Sequence, residues 1–189
     1  MSILTENLPD SLTICGVDCP IRTDFKTWIK VSGLLGKDVS AEMLSQLLGL
    51  VFEKLPPNLI EAMKTIFEFY RLGEEDKRAG NKKAPSKSTF DFDYDGNLIF
   101  AAFLQQYNVD LCESNMHWWK FRALFDCLSD DTQFMKVVGY RSMDISKIKD
   151  KKQKSFYRKM KERYRLPDKR SESQKELDFT QSMSSLFGG

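Results

Sequence analysis

The segment that most constrains this chain of 189 residues is Met116-His-Trp-Trp-Lys-Phe-Arg-Ala-Leu-Phe-Asp-Cys-Leu128. Behind a Ser114 N-cap it reads as a helix with apolar residues on nearly every side, and such a helix has to be surrounded by other elements. Periodicity shows where the shell comes from. Asp24 caps a helix carrying Phe25, Trp28, Ile29 and Ser32 on one face up to Leu35-Gly36. Asp38 or Ser40 starts a second, through Met43, Leu44, Leu47, Leu48 and Val51 to Phe52. Pro56-Pro57 stops it and opens a third with Leu59, Ile60, Met63, Ile66, Phe67 and Tyr70, closed by Gly73 as C′ residue. Further helices are predicted from about Asn97 to Tyr107 and from Thr132 to Val138, with Gly139 as the stop. A long one, capped by Asp144, runs to Pro167. Ahead of them, Leu12–Gly16 and Asp18–Arg22 are short β-like runs around a glycine turn. The fold class is therefore mainly α: a compact bundle of about six to seven helices with a short N-terminal β-hairpin and a long basic C-terminal helix. Ten Gly and six Pro are too few for a many-turned β-barrel.

Residues 1–167 are read as a single helical domain. Its polar stretch 73–90, GEEDKRAGNKKAPSKSTF, is expected to be a flexible internal loop. The Ser-rich residues 168–189 are expected to be a disordered tail. The start of the chain shows no secretory signal and no run of apolar residues long enough to span a membrane, so the expected location is the cytoplasm. Four Cys, two of them the close pair Cys15 and Cys19, lack the second pair a zinc site needs and are read as reduced thiols.

No constellation of side chains points to catalysis. His117 is the single histidine, so a Ser-His-Asp enzyme would have to use it, yet no local motif supplies a nucleophile or an orienting partner. Gly-rich phosphate loops are absent. Asp91-Phe-Asp93-Tyr-Asp95-Gly96 matches the first half of a calcium loop, but position nine is Ile99 and position twelve is Ala102, where a bidentate carboxylate is required. The three acids are better read as carboxylates before a helix N-terminus. The expectation is no enzyme, no cofactor, no metal and no catalytic residue.

Charge is distributed unevenly. Residues 144–170 hold 12 Lys/Arg and 4 Asp/Glu, a local +8, against −6 for the remainder. In a continuous helix Lys147, Lys151, Lys154, Arg158, Lys161 and Arg165 form one basic ridge, with Ile145, Phe156, Met160 and Tyr164 opposite, packed on the protein's own body. The ridge is the candidate partner-binding site. It suits an acidic protein surface or nucleic-acid phosphates, or is a solvated face; aromatics do not interleave with it, which disfavours single-strand stacking.

Several strings resemble the bacteriophage gene-product-fifteen family of phages and prophages. They are Pro20-Ile-Arg-Thr-Asp-Phe25 with Trp28, Ala101-Ala-Phe-Leu-Gln-Gln-Tyr107, Val109-Asp-Leu111, His117-Trp-Trp-Lys-Phe-Arg-Ala-Leu124, Val138-Gly-Tyr-Arg-Ser-Met-Asp144 and Leu166-Pro-Asp168. The resemblance covers about residues 12–168. It implies a gene in the tail module beside the tape-measure gene, a place commonly held by tail assembly chaperones. From it come the expected partners, the phage tape-measure protein and other tail proteins, in the host cell cytoplasm, with no membrane partner and none of nucleic acid. Self-association is left open. The alternatives are a virion structural protein, either a head–tail connector or a tail-completion subunit, and a nucleic-acid-binding accessory protein.

Overall fold

The computed structural model of the protein describes residues 3–35, 40–73 and 89–167. The described residues form a two-stranded hairpin and seven α-helices, in the mainly α class expected. The chain divides inside its sixth helix into two compact units, Met1–Lys136 and Val137–Gly189. Most of the expected flexible loop (74–88) and the expected disordered tail (168–189) lie outside the described residues.

The first unit opens with β1 (Ser11–Ile14) and β2 (Val17–Pro20), antiparallel with Leu12 opposite Cys19 and Ile14 opposite Val17. Their two-residue turn, Cys15-Gly16, has φ of 51° and 76°. Positive φ at both turn positions matches the right-handed twist of the strands. Leu12, Ile14 and Cys19 are buried, and β1 packs on the third helix.

Helix α1 (Phe25–Leu35) starts where the Asp24 carboxylate accepts the Thr27 N–H at 2.9 Å. It buries Phe25, Trp28, Val31 and Leu34, a stripe of helical period. Helix α2 (Ala41–Val51) is capped by Ser40, whose hydroxyl accepts from Met43 N–H. Its far end is held by Arg22, whose guanidinium donates to the Gly49 and Leu50 carbonyls at 2.9 and 3.0 Å. A cation on the last carbonyls of a helix satisfies orphan acceptors and opposes the macrodipole.

Helix α3 (Leu59–Tyr70) is capped by Asn58, which accepts from both Ile60 and Glu61 N–H. It closes through Leu72 and Gly73, both at positive φ, with Gly73 N–H bonded to Glu68 C=O. The left-handed turn thus begins one residue before the glycine expected to make it. The buried face of α3 is Ala62, Ile66 and Phe69. Leu59 and Ile60, part of the apolar series read from the sequence, are 44% and 86% exposed. The apolar stripe of α3 is wider than the surface available to cover it.

Helix α4 (Gly96–Tyr107) ends in a left-handed Asn108. Its last turn grips the end of α5 (Trp118–Asp126). Tyr107 donates its hydroxyl to Leu124 C=O. Gln106 donates to Cys127 C=O and accepts from Ser129 N–H.

Around α5 the aromatic residues form one continuous cluster of stacked, tilted and edge-on rings. Phe121 stacks on Phe25 at 4.8 Å and on Phe103 at 5.2 Å. Trp118 lies near Trp28, Tyr70 and Phe92, and Phe125 reaches Phe90 and Phe134. Trp118 and Phe121 are fully buried, so the expectation of a central Trp-bearing helix holds.

The second unit holds most of α6 (Gln133–Ser142), a 3₁₀ turn (Ile145–Lys147) and α7 (Lys151–Arg163). Two boundaries differ from the sequence reading. Helix α6 runs through Gly139 instead of stopping there, since a glycine in αR conformation costs only about 1 kcal/mol and does not terminate a helix unaided. The long basic helix is interrupted. Asp144 caps only the 3₁₀ turn, Ile148 is extended, and Asp150 starts α7 by accepting from Gln153 N–H at 2.7 Å.

Both tryptophans of α5 are expected to be indispensable to the fold. Trp118→Ala and Trp119→Ala should each lose about 3–5 kcal/mol, the usual range for aromatic truncation in a core. Trp119→Phe, which keeps a ring but loses the indole bond, should lose about 1–2 kcal/mol. Urea unfolding of the three variants measures this, and unchanged midpoints would contradict the assignment.

Candidate functional site

The described part of the second unit, residues 137–167, carries eleven Lys/Arg and three Asp/Glu, a net +8. The three acids compensate little of it. Asp144 is engaged by the Ser146 N–H at 3.0 Å and hydroxyl at 2.6 Å, which holds its carboxyl below the usual range. It pairs with Lys147 at 3.7 Å. Asp150 is spent on the α7 N-cap, and Glu162 is exposed on the helix surface. Among the described residues, Lys151, Lys152, Arg158, Lys159 and Arg163 make no ion pair.

Helix α7 is held by an aromatic cluster within its own unit. Tyr140 of α6 stacks on Tyr164 at 5.9 Å and meets Tyr157 and Phe156 edge-on or tilted at 6.2 Å. Arg141 donates to the Tyr164 carbonyl at 2.6 Å, and Lys161 donates to the Met143 carbonyl at 2.6 Å. The inner face is therefore Lys154, Tyr157, Met160, Lys161 and Tyr164, all half-buried.

This places the six residues of the predicted ridge unevenly. Lys151, Lys154, Arg158 and Lys161 lie on α7. Lys147 sits in the 3₁₀ turn, and Arg165 follows the helix end. Lys154 and Lys161 face the seam of the packed side, while Lys147, Lys151, Arg158 and Arg165 are exposed. Phe156, expected on the packed side, is 48% exposed. The open face of α7 instead shows Lys151, Lys152, Ser155, Lys159, Glu162 and Arg163. Lys152, Lys159 and Arg163 lie outside the predicted ridge, because charge at helical spacing does not show which side the tyrosines turn inward.

The other candidates of the sequence have structural occupations. His117 is the N-cap of α5: Nδ1 accepts the Trp119 N–H at 3.0 Å, which leaves Nε2 to carry the proton donated to Pro9 C=O at 3.1 Å. Burial depresses its pKa; the Lys120 charge adds to this, while the Pro9 bond and Asp10 oppose it. Asp91 Oδ1 accepts the Asp93 and Tyr94 N–H groups, and the fully buried Asp95 accepts the Asp91 N–H. These carboxylates fold their own turn. The Cys15 thiol donates to Glu61 at 3.0 Å, and that bond raises its pKa, the opposite of an activated nucleophile. An open groove of about 410 Å³ on α1 and α2 is lined by Lys30, Leu34, Gln46, Gly49 and Leu50. Among the described residues no cluster of His, Cys, Asp and Glu is arranged to hold a metal ion, and no helix is long and apolar enough to cross a membrane.

Fold and site together define a mainly α protein with an aromatic core unit and a separate cationic helical unit. A family profile described as bacteriophage Gp15 protein matches residues 4–166, and the chain belongs to that family. No curated protein and no solved structure matches it.

Two outcomes follow for solution work. The depressed native pKa of His117 means that the unfolded chain takes up its proton first. Stability should be fully present above the ordinary histidine value of about 6.5 and fall as pH drops below it. His117→Asn retains a capping acceptor without the titration, so its thermal midpoint should fall less than that of the wild type between neutral and mildly acidic pH. For the Asp91–Asp95 turn, calorimetry with calcium should show no binding in the sensor range, and a Kd below about 10⁻⁵ M would contradict the structural role.

Proposed function

We propose that the protein is a phage tail assembly chaperone that binds the tape-measure protein during tail morphogenesis in the host cytoplasm. The observation that carries this reading is membership of the bacteriophage Gp15 family over residues 4–166, with the place beside the tape measure that the resemblance implies. The chemistry agrees with it. A chaperone of this kind needs no active site; it needs a surface for helical segments, and exposed charge that steers encounter with a client of opposite sign. Helix α7 supplies uncompensated charge on a framework held by its own tyrosines.

A second reading, a structural subunit of the virion, is favoured by one observation. Leu55, Leu59 and Ile60 are 77%, 44% and 86% exposed around the start of α3. Exposed apolar side chains in one short stretch suit a permanent interface.

Co-expression separates the two. The adjacent tape-measure product should be soluble and co-purify when this protein is present, and aggregate without it, while purified mature particles should lack the protein. Tape-measure solubility indifferent to the protein would contradict the chaperone reading, as would stoichiometric copies in mature particles.

A further inference from the structure

Helix α7 carries a second pattern, distinct from the predicted ridge. Lys152, Phe156, Lys159 and Arg163 follow one another at spacings of four, three and four residues. At about 100° per residue they fall within an arc of about 60°. All four are exposed, and Phe156 is the large apolar residue among them. That spacing is the one by which a helix presents a seam to a partner helix. Here the seam consists of three cations around one aromatic ring. The ring is held edge-on by Tyr140 at 6.2 Å and by Tyr157 at 5.4 Å, and Arg163 lies over the Tyr164 ring at 5.5 Å, so two of the four side chains have fixed supports.

We infer that the Lys152/Phe156/Lys159/Arg163 stripe docks a partner helix whose facing positions are Asp or Glu at alternating three- and four-residue spacing around one apolar residue. The inference rests on the reading of α7 as the partner-facing element, and it names the chemistry of the client segment. Charge complementarity demands the acids: a cationic seam pairs with an acidic helix, gains no ion pair from a neutral one and repels a basic one, and partial exclusion of water strengthens each pair. Phe156 demands the apolar position, because an exposed ring seated against an aliphatic side chain gives the anchor that charge alone lacks. The same ring argues against a nucleic-acid duplex, as does Glu162, which sits between this stripe and Lys151/Arg158 and would face the phosphates.

The test uses the full chain and two designed three-heptad helical peptides of identical composition. One places Glu at the seam positions with a central Leu, and the other has the same residues scrambled off the seam. A 20-base-pair DNA duplex is the third probe. Fluorescence anisotropy should show the seam peptide binding about tenfold or more tighter than the scrambled one. The triple variant Lys152→Glu/Lys159→Glu/Arg163→Glu should lose binding at least about tenfold. The control Lys151→Glu/Arg158→Glu/Arg165→Glu, with the same change in net charge, should lose only a few-fold. Phe156→Ala should weaken binding while circular dichroism remains unchanged. Equal losses in the two triple variants, equal binding of the two peptides, or no peptide binding would each overturn the inference. Tighter binding of the duplex, with a log–log salt slope of several units, would overturn it in favour of nucleic acid. If the seam peptide fails while the tape measure is still kept soluble, the stripe is wrong and the chaperone reading stands. If the seam peptide binds and the tape measure is not kept soluble, the reverse holds.

Discussion

The first unit depends on the junction at His117-Trp118-Trp119. The Trp118 N–H donates to Thr23 C=O and the Phe25 N–H to Met116 C=O, a single antiparallel bridge that ties the start of α5 to the start of α1. The two indoles then reach α3. Trp119 Nε1 donates to Phe69 C=O at 2.9 Å and Trp118 Nε1 to Tyr70 C=O at 3.1 Å, so the end of one helix is capped by side chains at the start of another. His117 adds the segment before the hairpin through Pro9. Three consecutive residues thereby meet three other stretches of chain. A buried tryptophan needs a partner for its N–H, and a helix end needs donors for its last carbonyls. Here each requirement satisfies the other.

The second unit is organised by a different economy. In its described part Asp144 and Asp150 accept backbone N–H groups, at the 3₁₀ turn and at the α7 N-terminus, and of the two Asp144 also meets a cation, Lys147 at 3.7 Å. Its packing comes from tyrosines, with Tyr140 against Tyr157 and Tyr164, and the half-buried Lys154 and Lys161 lie on the same inner face. A helix of this composition has little apolar surface of its own to bury, and a cationic surface of this density is suited to a binding partner of opposite charge.

Much of this was legible in the sequence. The hairpin followed from β-branched residues around Gly16, and the central position of α5 from its lack of a polar side. The start of α1 followed from Asp24, and that of α2 from the pair Asp38 or Ser40, of which Ser40 is the cap. The misses have local physical causes. Histidine is not among the usual N-capping residues, so Ser114 was given the role that His117 holds. The break at Ile148–Asp150 was hidden because lysines continue at helical spacing through it, whereas Asp150 competes for the backbone as a fresh cap. The rotation of α7 was hidden because Tyr157, Met160 and Tyr164 set the inner face, and an aromatic stripe flanked by long cationic stems looks alike on either side of its edge. Which residues an interface uses depends on that rotation, and sequence spacing alone does not contain it.

Amide hydrogen exchange of the full chain, with and without the tape-measure product, tests the central claim most directly. Helix α7 has no buried residue whereas α5 buries Trp118, Trp119, Phe121 and Phe125, so the amides of α7 should exchange far faster than those of α5 in the free protein. The account predicts that the client slows exchange across Lys151–Arg163 and leaves α5 unchanged. Slowed exchange confined to residues 55–67, with α7 unaffected, would contradict it and place the working surface on the exposed apolar side of α3.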